Sequence, residues 1–211
     1  MLRSRIFLRV IVTISNQYGS GAIAIAERAA QELGYQFVDR QLPVVVAKRM
    51  RISRAEAQAA DETGRSLGAR LLSGLELATP EVSVAAFGEN FDEEYIRAVQ
   101  QAVRDYAARG NVVIVGRGSG VILGRRPDVL RVFMHAPREW RVERISTELQ
   151  MDLKAAGAEV DRVDKARHAH MRDWYGVAFG NVDLYDLSLD TSTFGVDASA
   201  GLIVDAVRRL T

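Results

Sequence analysis

The sequence predicts an α/β protein, a parallel sheet wrapped by helices. Three observations carry that prediction. Short β-branched runs, apolar on both faces, recur at residues 10–15, 112–115 and 129–134, as central parallel strands require. Amphipathic helical stretches separate them, and alternating strands and helices give a parallel sheet with right-handed crossovers. The first run also enters a glycine turn, Gly19-Ser20-Gly21, and leads straight into a helical pattern.

Each element has its own warrant. In residues 22–33, Ile23, Ala26, Ala30 and Leu33 fall on one helical stripe, and Gly34 stands where a C-terminal cap belongs. Residues 35–38 form a short strand ending in Asp39-Arg40. Ligands of open α/β sheets sit beyond the C-terminal strand ends, so these two residues are expected near the first turn. Residues 43–52 look helical. Ser53 and Glu56 form a capping box for a further short helix, residues 54–60. Gly64, Gly68, Gly74 and Gly88 then punctuate weak periodicity, so residues 41–90 are expected to be a helical insertion, either a substrate flap or a partner-facing surface.

Asn90 and Glu93 cap a strong helix to Arg109, with Tyr95, Val99, Ala102, Val103 and Tyr106 inward. Gly110 ends it, and residues 112–115 empty into Gly116-Arg117-Gly118-Ser119-Gly120. Pro137 opens the helix after the next strand, with Val142, Ile145 and Leu149 inward and Arg138, Arg141 and Arg144 on the polar face. A charged helix spans residues 161–174, a last strand residues 184–189. Asp197 caps a final helix with Ala200, Ile203, Val207 and Leu210 on one face.

Composition narrows the function classes. A net charge of +1 over 211 residues argues against a nucleic-acid coat or a polybasic membrane anchor. The chain lacks cysteine and has three histidines, which leaves no disulfide framework, thiolate nucleophile or His-rich metal centre. Arg9 interrupts the apolar lead at the N-terminus, against a signal peptide, and no apolar run approaches a membrane span. A cytoplasmic protein without nucleic-acid or membrane partners is expected.

Three groups could carry chemistry. Gly19-Ser20-Gly21 offers backbone N–H groups at a helix N-terminus, and Asn16 tolerates the left-handed backbone that a first loop glycine would adopt. Spacing alone leaves a phosphate cradle and a plain turn equally open. In the second turn, Gly116 and Gly118 fit a dinucleotide fingerprint, but Val121 stands at the third glycine. Arg117 is better read as an anion ligand at a strand end. Third, Arg141, Arg144, Arg162, Arg167 and Arg172 either converge on a polyphosphate or make a solvated face with neighbouring acids. His168 and His170 read as packing or solvent-facing residues.

Several stretches together resemble the cytidylate kinase-like family, of P-loop nucleoside monophosphate kinase fold. They are residues 14–21, 35–40, 110–118, Asp164-Lys165-Ala166-Arg167 through Trp174-Tyr175-Gly176, and Leu184-Tyr185-Asp186-Leu187 through Thr191-Ser192. The resemblance covers nearly the whole chain, least securely residues 41–90. It implies a single domain with a five-stranded parallel sheet, a phosphate loop after the first strand, a substrate-binding insertion and a lid at about 150–176. It also implies ATP and Mg²⁺ as cofactors. Carried over by position, Asn16, Gly19, Ser20 and Gly21 match the phosphate loop, and Arg144 the helix arginine near the nucleotide base. Asp39, Arg40 and Arg117 match positions near the acceptor, and Arg117, Arg167 and Arg172 are the expected catalytic cations, with Asp164 orienting the lid arginines.

The chain departs from the family pattern in specific places. Ala22 stands where a cytidylate kinase has the loop lysine. Ile23 and Ala24 replace the hydroxyl residue that holds Mg²⁺, and Gly118 replaces an aspartate. No protein metal ligand is therefore expected, and cytosine specificity does not carry over. Two readings follow: a kinase moving the γ-phosphate of ATP to a nucleoside monophosphate or related small acceptor, or an inactive nucleotide- or partner-binding pseudokinase. A homodimer is left open.

Overall fold

The computed structural model describes residues 9–39, 41–50 and 91–210. Its centre is a five-stranded sheet built from β1 (Ile11–Asn16), β2 (Gln36–Val38), β3 (Val112–Val115), β4 (Val129–His135) and β5 (Leu187–Asp190). The strand order is β2-β3-β1-β4-β5, and every neighbouring pair is parallel. The helices are α1 (Ala22–Leu33), α2 (Gln41–Met50), α3 (Phe91–Arg109), α4 (Ser119–Leu123), α5 (Arg138–Leu149), α6 (Leu153–Tyr175) and α7 (Thr191–Leu210). β1 lies between β3 and β4, and the chain has left it towards β2 on one side before crossing to β4 on the other. Strand order reverses there, where open parallel sheets bind ligands.

Alternating strand residues feed two cores. Ile11 and Ile114 pack with Tyr95, Val99 and Val103 of α3. Val12, Ile14 and Val113 pack with Ala26 and Ala30 of α1 and Ile203 and Val207 of α7. A third, small cluster (Val142, Ile145, Ala156, Val160) joins α5 to α6 away from the sheet.

The five expected strands and the central helices are present, with differences that have physical causes. The buried stripe of α1 is Ala22, Ile25, Ala26, Ala29 and Ala30, while Ile23 is exposed. The four small alanines let this helix approach the sheet closely, with Ile25 filling the space between. Leu149 is exposed, not inward, because α5 ends there and Gln150 turns the chain in left-handed backbone. Arg141, expected on the polar face, is 5% exposed. The charged helix starts at Leu153 instead of 161, capped by the Asp152 carboxylate, which accepts from Ala155 N–H at 2.9 Å. The last strand starts at Leu187, because a 3-10 turn at Val182–Leu184 precedes it. Asp186 there accepts from Arg131 Nε and Nη2 at 3.0 and 2.6 Å, tying the entry of β5 to buried β4. α7 starts at Thr191, and Gly195 breaks it before Asp197 (φ 67°, ψ −172°). The capping box at Ser53 and Glu56, the rest of the expected insertion to residue 90, and Arg40 lie outside the described residues.

Candidate active site

The turn after β1 is built from two left-handed glycines, Gly19 (φ 79°) and Gly21 (φ 75°), which open α1. A side chain at either would be strained, and at Gly19 its Cβ would also press on the Arg141 backbone oxygen at 3.0 Å. Gln17 anchors the turn from below: its N–H donates to Met134 O at 3.0 Å, and its Oε1 accepts from Ala136 N–H at 3.2 Å. Thr191 Oγ1 donates to Ser20 O at 2.7 Å, so the start of α7 holds the turn from the opposite side.

Arg141 and Asp164 brace the turn from above. Arg141 Nη1 donates to Tyr18 O at 2.9 Å and to Asp164 Oδ2 at 2.6 Å, and its Nε donates to Ala136 O at 3.0 Å. Asp164 Oδ1 in turn accepts from Tyr18 N–H at 2.9 Å. One residue of the turn thus has its carbonyl held by α5 and its amide by α6. Arg167, one helical turn on, donates from Nη1 to Asn16 O. Arg141 is therefore a strut of the loop, and Asp164 ties α6 to it.

The turn after β3 has the same backbone type. Gly116 (φ 74°), Arg117 (φ 61°) and Gly118 (φ 65°) are all left-handed. A non-glycine residue there costs about 1–2 kcal/mol, so the Arg117 side chain is held at a strained position on the cavity wall. Here the brace is aromatic. Tyr175 Oη donates to Arg117 O at 3.3 Å, and a Cβ on Gly118 would lie 2.5 Å from the Tyr175 ring. His170 packs edge-on against Tyr175 at 5.7 Å. Burial, followed by the nearby Arg117 charge, lowers the His170 pKa to about 4, so it is neutral near pH 7.

Between the two turns and α6 lies a cavity of about 480 Å³, a size suited to a small-molecule ligand. It brings together Asn16, Gly19, Gly21, Asp39, Arg117, Arg144 and Arg167, all expected from the sequence. Ser20 lies in the turn but is fully buried and does not line the cavity. Arg172 does not join it either: its side chain is 70% exposed and its Nε donates to Asp173. Arg162 lines the wall instead, as does His170. Arg162 was among the arginines that the sequence offered to a polyphosphate, whereas the wall position of His170 depends on the docking of α6 and had no sequence signal.

Four arginines and three carboxylates line the cavity. Arg144 pairs with Glu148 and Arg162 with Glu159, both at 2.7 Å. The Arg162 hydrogen bond holds the Glu159 carboxyl below its ordinary value. Phosphate oxygens could replace these glutamates, because guanidinium binds both groups with the same fork geometry. No group of three His, Asp or Glu side chains that could cage a metal occurs among the described residues. Nor is any helix among them long and apolar enough to cross a membrane.

The sequence profile of one family, the cytidylate kinase-like family, matches residues 11–193. A cytidylate kinase of Halobacterium salinarum is 26% identical over 94% of this chain and 89% of its own. One from Ignicoccus hospitalis is 26% identical over 95% and 98% respectively. Among solved structures, an uncharacterized protein from Eubacterium ventriosum superposes with a TM-score of 0.67 at 17% identity, covering 95% of this chain and 99% of that one. A shikimate kinase from Acinetobacter baumannii reaches 0.50 at 10% identity, covering 99% and 96%. These structural likenesses speak for the fold alone, a P-loop-type parallel sheet.

Proposed function

The chain belongs to the cytidylate kinase-like family, and on that premise we propose that it moves the γ-phosphate of ATP to a nucleoside monophosphate or related small acceptor. Family and fold support a kinase-type phosphotransferase; the donor, the acceptor and the residue roles are our reading. One observation carries it: a single cavity joins an anion cradle at the N-terminus of α1 to four arginines from three other parts of the fold. Phosphoryl transfer needs positioning and charge neutralisation more than covalent chemistry, and this arrangement offers both.

In this reading Asn16, Gly19 and Gly21 shape the donor end, with buried Ser20 keeping the turn in place. Asp39, Arg40 and Arg117 serve the acceptor end. Arg162 and Arg167 reach across from α6 towards the transferred group, the part expected of Arg172. An acceptor oxygen attacks the γ-phosphorus, the bond to the β,γ-bridging oxygen breaks, and that oxygen leaves on ADP. No enzyme-bound phosphate forms. Ile23 and Ala24 stand at the position of the hydroxyl residue that would hold Mg²⁺. Mg²⁺ would arrive on the nucleotide's own phosphates and supply charge neutralisation, as is usual for this ion.

A second reading rests on Ala22, Ile23 and Ala24, which give the cavity an apolar edge where such loops carry a cation and a hydroxyl. It makes the protein a nucleotide-binding pseudokinase. Titration of ATP with and without Mg²⁺, then assay of γ-phosphate loss against a panel of nucleoside monophosphates, separates the two. Turnover with one acceptor supports the kinase. Binding without turnover supports the pseudokinase, and absence of any nucleotide binding refutes both. Arg117→Ala is expected to weaken acceptor binding about tenfold or more while leaving ATP affinity nearly unchanged; the reverse pattern would move Arg117 to the donor end.

A further inference from the structure

The loop that opens α1 has no cation of its own. Ala22 stands at the lysine position, is 2% exposed, and contributes only a methyl group to the cavity. A helix N-terminus and a few backbone amides compensate only part of a polyphosphate's charge. A cation from elsewhere in the fold lies over this spot. The three heavy atoms nearest to a Cβ built on Gly21 all belong to Arg144: Nη1 at 3.0 Å, Cζ at 3.2 Å and Nη2 at 3.6 Å. Its guanidinium therefore rests on the residue that caps α1. The other arginines of the cavity are placed differently. Arg167 is bonded to Asn16 O at the far end of the turn, Arg162 is held by Glu159 on α6, and Arg117 belongs to the turn after β3.

Two features suit Arg144 to a mobile anion partner. Its side chain is 30% exposed and its Nη2 is paired with Glu148, itself 47% exposed. A half-exposed i,i+4 pair is worth only a few tenths of a kcal/mol, so a phosphate can take the glutamate's place at little cost. The pair meanwhile keeps the guanidinium poised over the loop. Gly21 has a second reason to be glycine, since any side chain there would push the guanidinium away.

Resting on the nucleotide-binding reading, we infer that Arg144 of α5 supplies the phosphate-loop cation missing at Ala22, binding the donor's terminal phosphates, not its base. The role has moved from the loop to the neighbouring helix. Isothermal titration of ATP, tripolyphosphate and adenosine into the full chain and three variants tests it. Arg144→Gln is expected to weaken ATP and tripolyphosphate about 10- to 100-fold, as loss of a charged hydrogen bond does, and to leave any adenosine binding unchanged. Ala22→Lys in the Arg144→Gln background should restore most of the polyphosphate affinity, since the new ammonium would occupy the same spot. Gly21→Ala should mimic the loss while Arg144 is intact, with its melting temperature measured beside it. Unchanged polyphosphate affinity in Arg144→Gln, or loss of adenosine equal to that of ATP, overturns the inference and leaves the nucleotide reading standing. If the unaltered chain binds neither ATP nor tripolyphosphate, the nucleotide reading falls and takes this inference with it.

Discussion

The turns after β1 and β3 share a backbone and differ in what holds them. Both place left-handed residues at the C-terminal end of a buried strand, and both face the same cavity. The first is braced by charge: Arg141 and Asp164 hold the carbonyl and amide of Tyr18. The second is braced by rings: Tyr175 covers Gly118, and His170 backs Tyr175. One helix, α6, contributes to both braces, with Asp164 and Tyr175 about three turns apart. Any movement of that helix would therefore alter both ends of the cavity together. The ionic brace fixes backbone direction, whereas the aromatic brace fixes the shape of the turn at Gly118.

The largest expected effect breaks the ionic brace. Asp164→Ala leaves a buried guanidinium without its carboxylate and should cost roughly 3–5 kcal/mol. Denaturant unfolding of the variant measures it, and a loss below about 1 kcal/mol would mean that the ionic brace contributes little to holding the first turn. Arg141→Met with Asp164→Leu, which removes both charges, should recover much of the loss.

Next comes the pH dependence of the aromatic brace. His170 binds a proton less readily when folded, at a pKa of about 4, than at its ordinary value of 6.5. Between those values the unfolded chain holds the extra proton, so stability rises with pH across that window and falls on acidification. Over the whole interval the effect is on the order of 3 kcal/mol. His170→Phe should flatten the stability profile between pH 4 and 6.5; an unchanged slope would assign it to another group. Asp186 acts in a lower window. Arg131 hydrogen bonds hold its carboxyl below 3.8, so its contribution is present above that pH and is lost only on stronger acidification.

A smaller effect sharpens the comparison at the second turn. Gly118→Ala meets the Tyr175 ring and a φ of 65°, and should cost about 2 kcal/mol. In the Tyr175→Ala background the steric share should vanish and the backbone share remain. The smallest concerns Arg117, whose φ of 61° is unfavourable for a side chain. Arg117→Gly should leave the melting temperature within a few degrees or raise it, because glycine relieves about 1 kcal/mol of strain, while acceptor binding weakens about tenfold or more, as in Arg117→Ala. A large stability loss would show that Arg117 is a structural residue.

Much of the site was legible because backbone requirements leave a residue signature. Gly19, Gly21, Gly116 and Gly118 mark left-handed positions that few other residues accept, and strand ends place Asp39 and Arg117 by topology alone. Side-chain destinations were not legible. Arg141, Arg144, Arg162, Arg167 and Arg172 read alike along their helices. They end as a buried strut, a cation over α1, two wall residues and a solvent-facing partner of Asp173. Leu149 and Ile23 failed the expected inward pattern for a related reason: helical periodicity gives a stripe, and only packing decides where the stripe faces.

By itself, the sequence determined the alternating strands and helices, the two glycine turns and the loss of the lysine and hydroxyl at Ala22, Ile23 and Ala24. These are local properties, set by backbone sterics and side-chain identity. The tertiary structure alone decided that α6 lies across both turns, that Arg141 is consumed in holding one of them, and that Arg144 comes to rest on Gly21. Those outcomes depend on contacts between residues far apart in the chain, from 58 positions between Tyr175 and Arg117 to 146 between Tyr18 and Asp164, and no local pattern in the chain encodes which charged side chain will be buried and which will reach the cavity.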